Sequence, residues 1–347
     1  MCVLFAHTSL LPQKSQETTI VANPRRIFSN AHNYHVNSIS VNVDGETFLS
    51  ADDLRIHLWN VERSEECFNV VDIKPATMED LTEVITSAQF HPQHCHIMLH
   101  SSSKGTIKIG DMRSRALIDN QAKILEGPPQ PAEARTFFSE ILASISDAKF
   151  SPDGRYIVSR DYMTLKLWDV NMERAPIQEI NLQEHLTPKF VELYENDCIF
   201  DKFECACSGD GRFVASGSYD NTFKIYDAAT AAEEATVSMG QNLVGEEARA
   251  GGSSMFNFRE KVLHMAWEAK DDVLAVCGRN RLYLYSAVRD RATGGLRGPE
   301  GGSEGGGESR EEARYQQQLG GGGDGEDRER LSPEQEEEER FYRHNDA

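Results

Sequence analysis

Four potential metal ligands crowd one short stretch of this chain: His91, His94, Cys95 and His96. Imidazole and thiolate are ligands that zinc favours, so a metal centre is the chemistry these types suggest. Their surroundings point elsewhere. His91-Pro92 falls where Asp153-Gly154 and Asp210-Gly211 turn in two other parts of the chain, so the cluster reads as a hairpin and no metal is expected. Cys205 and Cys207 align with Ala148 and Phe150, and with Ala88 and Phe90, at the inward positions of alternating runs. They read as core thiols. The chain has no Gly-rich phosphate loop and no His-Glu-x-x-His, and no Gly-x-Ser-x-Gly follows a strand pattern as a nucleophile elbow requires. Catalysis therefore has no visible carrier, and neither an enzyme nor a cofactor is expected. Acids offer a different chemistry. In residues 74–84, Thr77 followed by Asp80 resembles a helix N-cap with a reaching acid, and Glu79, Asp80 and Glu83 would suit the positive end of a short helix. Two readings stand: a capped connector with a solvated acidic face, or an acidic rim bearing Leu81 that receives basic partner segments. Asp52-Asp53 lies in a turn, where Asp is common for backbone reasons alone.

The elements that must position these residues repeat along the chain. Alternating runs that end in turns recur at Ile39-Ser40-Val41, Ser87-Ala88-Gln89-Phe90, Asp147-Ala148-Lys149-Phe150, Cys205-Ala206-Cys207 and Met265-Ala266-Trp267. A second apolar run follows, such as Thr47-Phe48-Leu49-Ser50, Tyr156-Ile157-Val158-Ser159 or Phe213-Val214-Ala215-Ser216. A third closes each unit: Ile56-His57-Leu58-Trp59, Ile107-Lys108-Ile109-Gly110, Leu165-Lys166-Leu167-Trp168, Phe223-Lys224-Ile225-Tyr226 and Leu282-Tyr283-Leu284-Tyr285. Period-2 strands, Asp/Gly/Pro turns and Trp-Asp-like ends are the pattern of a WD-repeat blade, with a fourth strand expected in the variable segment after each unit. The third runs begin at residues 56, 107, 165, 223 and 282, so the repeats exceed the about 40–45 residues of a plain WD repeat and the surplus belongs in loops. Five blades are legible, either a five-blade ring or part of a larger one. The expected fold is all-β, with a non-repeat segment over 1–29, blades over 30–287, and a disordered acidic Gly/Glu-rich tail over 288–347.

Composition narrows the function classes. A chain of 347 residues that is 39% apolar can build a sizeable core. Its net charge of −20 argues against nucleic acid, which needs a basic stripe, and favours basic protein partners. The tail from residue 288 carries 16 acidic against 9 basic residues and half of the 26 glycines. No apolar stretch reaches the about 18 residues of a membrane span, so no membrane association is expected. Seven cysteines without a regular framework, and no acceptor for N-glycosylation, suit a reducing intracellular setting.

Long strings then match loops that a generic blade leaves free. Asn30-Ala31-His32-Asn33-Tyr34-His35-Val36-Asn37-Ser38, Leu49-Ser50-Ala51-Asp52-Asp53-Leu54-Arg55-Ile56, Phe68-Asn69-Val70-Val71-Asp72-Ile73-Lys74-Pro75-Ala76, Phe137-Phe138-Ser139-Glu140-Ile141 and Tyr194-Glu195-Asn196-Asp197-Cys198-Ile199-Phe200-Asp201-Lys202 resemble the WD-propeller B-type (55 kDa) regulatory subunits of protein phosphatase 2A. The resemblance covers about residues 21–287. It implies a non-catalytic subunit that docks on the phosphatase scaffold subunit and presents basic phosphoprotein substrates to a separate catalytic subunit, in the cytoplasm with the nucleus also open. It further implies a substrate-binding set of Tyr34, His35, Asp53, Glu79, Leu81, Phe138, Asp197, Phe200 and Lys202 on one mouth of the propeller. The family has seven blades, whose first two have no counterpart among the five legible here. An open arc with exposed strand edges is therefore expected, since each blade of a sevenfold ring turns through about 51°. A free WD-type adaptor that binds protein segments without the phosphatase is the alternative function.

Overall fold

The computed structural model describes residues 23–113, 123–128, 136–172, 174–239, 260–270, 272–278 and 281–286. The apolar stretch 2–11 and the tail expected from residue 288 lie outside the described residues. Each repeat folds as an antiparallel meander. The first blade is β1 (Ser38–Val41), β2 (Thr47–Ala51), β3 (Arg55–Asn60) and β4 (Cys67–Asp72), and the second is β5 (Ile85–Phe90), β6 (Ile97–Ser102), β7 (Thr106–Asp111) and β8 (Lys123–Glu126). The third comprises β9 (Ile145–Phe150), β10 (Tyr156–Asp161), β11 (Thr164–Asp169) and β12 (Gln178–Asn181). The fourth comprises β13 (Cys205–Cys207), β14 (Phe213–Gly217), β15 (Thr222–Asp227) and β16 (Glu233–Ser238). The fifth shows three strands among the described residues, β17 (Met265–Trp267), β18 (Val273–Gly278) and β19 (Arg281–Ser286). No helix among the described residues is long and apolar enough to cross a membrane.

Turn chemistry sets the register of the first hairpins. The amides of Asn42, Ser151 and Ser208 donate to the carbonyls of Thr47, Tyr156 and Phe213 at 2.9, 2.8 and 2.9 Å. The chain reverses through Gly154 at φ +72°, a left-handed conformation that costs glycine nothing. A Cβ there would lie 2.1 Å from the His91 ring. That ring corrects one expectation. The His91 amide closes onto Ile97 at 2.9 Å, so His91 occupies the position of Ser151 and not that of Asp153, and its hairpin is one residue longer. Its Nδ1 accepts the amides of Gln93 and His94 at 3.0 and 3.1 Å, and its Nε2 lies 3.2 Å from the Gly154 carbonyl of the next blade.

Successive side chains of a strand point to opposite faces, and here both faces of a blade find partners. Leu49, Ala51 and Ile56 pack on Ile85, Ala88 and Phe90 of the second blade. Leu99, Ile107 and Leu125 meet Ala148, Phe150, Ile157 and Trp168 of the third. Val158, Leu165 and Ile180 meet Cys205, Val214 and Tyr226 of the fourth, and Phe213, Ala215 and Phe223 meet Met265, Leu274 and Val276 of the fifth. Each core thus lies between consecutive blades, as a propeller requires. Cys205 is fully buried as expected, whereas Cys207 is half-buried at the margin of its cluster; burial pushes its thiol up to about 12.

Side chains also stitch the innermost strands together. The amides of Ala88 and Phe90 in β5 donate to Ser38 and Ser40 of β1, both at 2.9 Å. Phe150 of β9 donates to Gln89 of β5 at 2.7 Å, and Cys205 of β13 to Asp147 of β9 at 3.0 Å. Met265 of β17 donates to Glu204 at 3.1 Å. No described strand pairs the first blade with the fifth. The outward face of β1 leaves Ile39 and Val41 exposed, and that of β19 leaves Leu282 and Leu284 exposed. The fold is an open or partial WD-repeat β-propeller.

Candidate protein-binding rim

Strands within a blade alternate in direction, so successive junctions open alternately on two rims. The segment before β1, the β2–β3 turn and the β4–β5, β8–β9 and β12–β13 connections all open on the same one. Tyr34 and His35 precede β1; Asp53 lies in the β2–β3 turn, Glu79 and Leu81 in β4–β5, Phe138 in β8–β9, and Asp197, Phe200 and Lys202 in β12–β13. All nine residues singled out from sequence therefore belong to one rim.

The two adjacent acids of the β2–β3 turn have opposite fates. Asp52 is buried: its Oδ1 accepts the amides of Leu54 and Arg55 at 2.8 and 2.7 Å, and its Oδ2 lies 2.7 Å from His32 Nδ1. His32 Nε2 in turn lies 2.6 Å from Ser50 Oγ, to which Trp59 donates at 2.8 Å. Asp52 closes a chain of hydrogen bonds that ties the segment carrying Tyr34 and His35 to the blade. Asp53 spends only its backbone carbonyl, accepting the Ile85 amide at 2.8 Å. Its half-buried carboxylate has no hydrogen bond or ion pair among the described residues.

The β4–β5 connection corrects the capping expectation. Thr77 makes no side-chain cap, and residues Met78–Asp80 form one 3-10 turn. The Asp80 amide that a cap would bind is already held by the Thr77 carbonyl at 3.0 Å. Glu79 and Asp80 stay exposed, with no partner for either carboxylate among the described residues, while Leu81 is half-buried beside them. Glu83 is different, since it pairs with Lys108 at 2.7 Å. Burial raises its pKa, but hydrogen bonds from Lys108 and Ser102 outweigh that and leave it lowered.

A second group is aromatic. Phe138 precedes α1 (Ser139–Ala143) and sits 5.7 Å from Phe190 and 6.0 Å from Tyr194 of α2 (Phe190–Glu195). Tyr194 also meets Phe137 at 5.5 Å and Phe200 at 6.0 Å. Phe137 is 68% exposed and Phe200 53%, so part of this cluster faces solvent. Phe138 and Phe200 are thus joined through Tyr194, which with Phe137 was not singled out from sequence. No hydrogen bond or ring contact links this cluster to Tyr34, Asp53 or Glu79 among the described residues.

Asp197 takes a left-handed φ of +56° and opens the turn Cys198–Phe200. That turn is anchored from beneath. The Tyr219 hydroxyl lies 2.8 Å from the Cys198 carbonyl, 2.9 Å from Asp201 and 2.9 Å from the Tyr162 hydroxyl, and Lys261 pairs with Asp201 at 2.5 Å. Phe200 and Lys202, flanking the anchored Asp201, are left exposed. Tyr219→Phe removes the shared hydroxyl and is expected to lower stability by about 1–3 kcal/mol. Amide exchange at Phe200 and Asp201 should quicken in that variant, and unchanged protection there would show that the anchor does not hold the turn.

The WD domain, G-beta repeat model matches residues 23–60, 135–169 and 203–227. Serine/threonine-protein phosphatase 2A regulatory subunit phr2AB of Dictyostelium discoideum is 52% identical over 80% of this chain and 61% of its own length. The B beta isoform of the 55 kDa phosphatase 2A regulatory subunit from Arabidopsis thaliana is 50% identical over 79% of this chain and 60% of its own. The B alpha isoform from Oryza sativa subsp. japonica is 50% identical over 79% of this chain and 52% of its own. The chain belongs to the 55 kDa B-type regulatory subunit family of protein phosphatase 2A. It spans 52–61% of the length of these relatives. B-type membership accounts for the loops that exceed a plain WD repeat, because the matched region runs through the rim segments as well as the strands.

Proposed function

We propose that this chain is a non-catalytic regulatory subunit of a serine/threonine phosphatase 2A holoenzyme and recruits basic phosphoprotein substrates through its acidic rim. The observation that carries the reading is the state of the acids. Asp53, Glu79 and Asp80 leave their carboxylates unpaired among the described residues, while Asp52 and Glu83 beside them are spent on His32 and Lys108. Unpaired rim acids attract Lys/Arg-bearing segments and raise encounter rates. Half-buried Leu81 and the exposed faces of Tyr34 and Phe200 supply apolar anchors of the kind that dominate binding energy. The names of the B-type relatives support association with the phosphatase. The scaffold and catalytic subunits are the partners this reading assigns, and Tyr34, His35, Asp53, Glu79, Leu81, Phe138, Asp197, Phe200 and Lys202 its substrate contacts.

Charge reversal separates recognition from folding. Asp53→Lys and Glu79→Lys are each expected to weaken binding of a basic phosphopeptide by about 1–3 kcal/mol, and Leu81→Ala by a similar amount through lost anchoring. Because none of these three side chains lies in a core cluster, melting should stay within about 0.5 kcal/mol of the parent. A matching loss of stability would remove the site assignment. Co-purification with scaffold and catalytic subunits tests the reading as a whole. A pull-down that holds basic segments but no phosphatase would favour the free adaptor instead.

A further inference from the structure

Three of the 12 prolines follow a serine or threonine, at Ser151-Pro152, Thr187-Pro188 and Ser332-Pro333. The first two pairs lie among the described residues and have opposite fates. Ser151 is 4% exposed, and its Oγ belongs to the first hairpin of the third blade. It accepts the Tyr156 amide at 2.9 Å, lies 3.0 Å from the Tyr156 carbonyl and contacts Asp153. Thr187 is exposed, in the 3-10 turn Glu184–Lys189 of the β12–β13 connection. Its hydroxyl donates to the Glu184 carbonyl at 2.8 Å, a bond made within the turn itself.

We propose that Thr187 is an acceptor site for a proline-directed serine/threonine protein kinase, and that its phosphate adds to the acidic charge of the rim. The regulatory half rests on the reading of that rim as a receptor for basic segments; the acceptor site does not.

A bound segment places the amide that follows the acceptor where the kinase must satisfy it. Proline has no amide hydrogen, so a kinase that offers no partner at that point selects Thr-Pro or Ser-Pro. Ser151 has the dipeptide without the access, and Thr187 has both. Because kinases take their acceptor in an extended segment, the turn must open locally. Leu186 is its one buried residue, and neither Thr187 nor Pro188 enters the core clusters beside it. Unwinding these two therefore withdraws no core side chain, and such openings are the least costly a fold has. In the transfer, Thr187 Oγ forms a bond to the γ-phosphorus of ATP as the bond from that phosphorus to the β,γ-bridging oxygen breaks. ADP leaves, and the hydroxyl proton passes to the catalytic aspartate of the kinase.

The surroundings can receive the new charge. Burial lowers the pKa of His185, and Lys224 and Lys189 lower it further against the pull of Asp220, which places two cations beside this turn. Residues three apart eclipse one another in a 3-10 turn, so Thr187 is in line with Glu184 and Phe190. Phe190 meets Phe138 at 5.7 Å. A charge of about −1.5 to −2 would thus arrive at the edge of the aromatic cluster.

The test treats the full chain with a purified cyclin-dependent kinase and, separately, a mitogen-activated kinase, each with Mg-ATP, and locates phosphate by peptide mass spectrometry. Phosphothreonine at Thr187 and none of the label at Ser151 is expected. A standard substrate peptide in the same tube reports kinase activity. Kinases that modify that peptide and leave Thr187 untouched would overturn the proposal, as would phosphate at Ser151 in equal measure. The second measurement is the association rate of a Lys/Arg-rich peptide. The phosphorylated parent should capture it at least about threefold faster than the untreated parent at low salt, with the gap closing at high salt. Thr187→Ala, which keeps Ser332, should show no gain after the same treatment. A parent shown to carry the phosphate but no faster would overturn the regulatory half. A parent that captures no peptide in either state counts against the rim reading instead, and the mass measurement then decides the acceptor site by itself.

Discussion

Asp147→Ala is expected to lower the unfolding free energy by about 3–5 kcal/mol, the cost of breaking a buried ion pair from one side. Asp147 lies in β9 at 5% exposure, yet it serves three blades. Its Oδ1 accepts the hydroxyl of Ser87 in β5 at 3.1 Å, and its Oδ2 accepts the amide of Cys205 in β13 at 3.0 Å. Lys149 pairs with the same carboxylate at 3.0 Å and itself donates to the Cys205 carbonyl at 2.7 Å. Burial lowers the pKa of Lys149, but the charge of Asp147, with further help from Cys205 and Glu204, raises it above the ordinary lysine value. Removing the carboxylate strands a buried amide, a hydroxyl and an ammonium together. Asp147→Asn keeps the shape and one acceptor, so it should cost less. Lys149→Met added to Asp147→Ala should recover part of the loss, with a coupling of about 0.5–3 kcal/mol in a double-mutant cycle. Denaturant unfolding measures the parent, both single variants and the double variant of the cycle, and Asp147→Asn beside them. A loss below about 1 kcal/mol for the alanine variant would mean that these inner strands are not held together through Asp147.

Such stitching was invisible in the sequence, although the strands it joins were plain. Runs such as Ile56-His57-Leu58-Trp59 and Leu165-Lys166-Leu167-Trp168 alternate strongly enough to mark β3 and β11, because Ile56 and Leu58 share the face that enters one core and Leu165 and Leu167 the face that enters another. Asp147 looks like any polar residue in an alternating strand until β13, 58 positions later, is brought beside it. Local signals also misled where a backbone bond pre-empted a side chain. Thr77 has the extended backbone of a helix cap, but a single 3-10 turn closes on the Thr77 carbonyl and leaves its hydroxyl no amide. His91 was placed two positions off because its hairpin holds one residue more than its counterparts and lacks the glycine that marks their reversal.

The rim was legible in a coarser way. Which loops share an edge follows from counting strands, so the grouping of Asp53, Glu79, Phe138 and Phe200 needed only the blade pattern. Which of two neighbouring acids is free did not follow from it. Asp52 and Asp53 are chemically identical in sequence, and only His32, 20 residues upstream, decides that the first is consumed. The aromatic cluster shows the same limit: Phe137 and Phe138 meet Tyr194 across more than 50 residues, and no local period records such a contact.

Acid should destabilise the propeller through a residue equally silent in the sequence. His100 lies in β6 at 2% exposure, its Nε2 without a hydrogen-bond partner. Burial, with Lys108 directly across on β7, pushes its pKa down from 6.5 to about 4, and Glu83 offsets this only in part. Above pH 6.5 the ring is neutral in both folded and unfolded chains, so its contribution is constant. As the pH falls below that value the unfolded chain takes up a proton that the folded chain refuses, and stability is lost until the folded ring also titrates near pH 4. A depression of that size corresponds to about 3 kcal/mol across the window. His57, His91 and His185 are shifted in the same direction, whereas His264, raised by its hydrogen bond to Glu204, opposes them from an exposed position. His100→Leu isolates the residue, because it removes the titration together with the unpartnered nitrogen. The variant should match or exceed the parent at pH 7.5 and should lose about 3 kcal/mol less between pH 6.5 and 4. Parallel stability curves for parent and variant over that interval would show that the His100 ring accepts its proton as readily folded as unfolded.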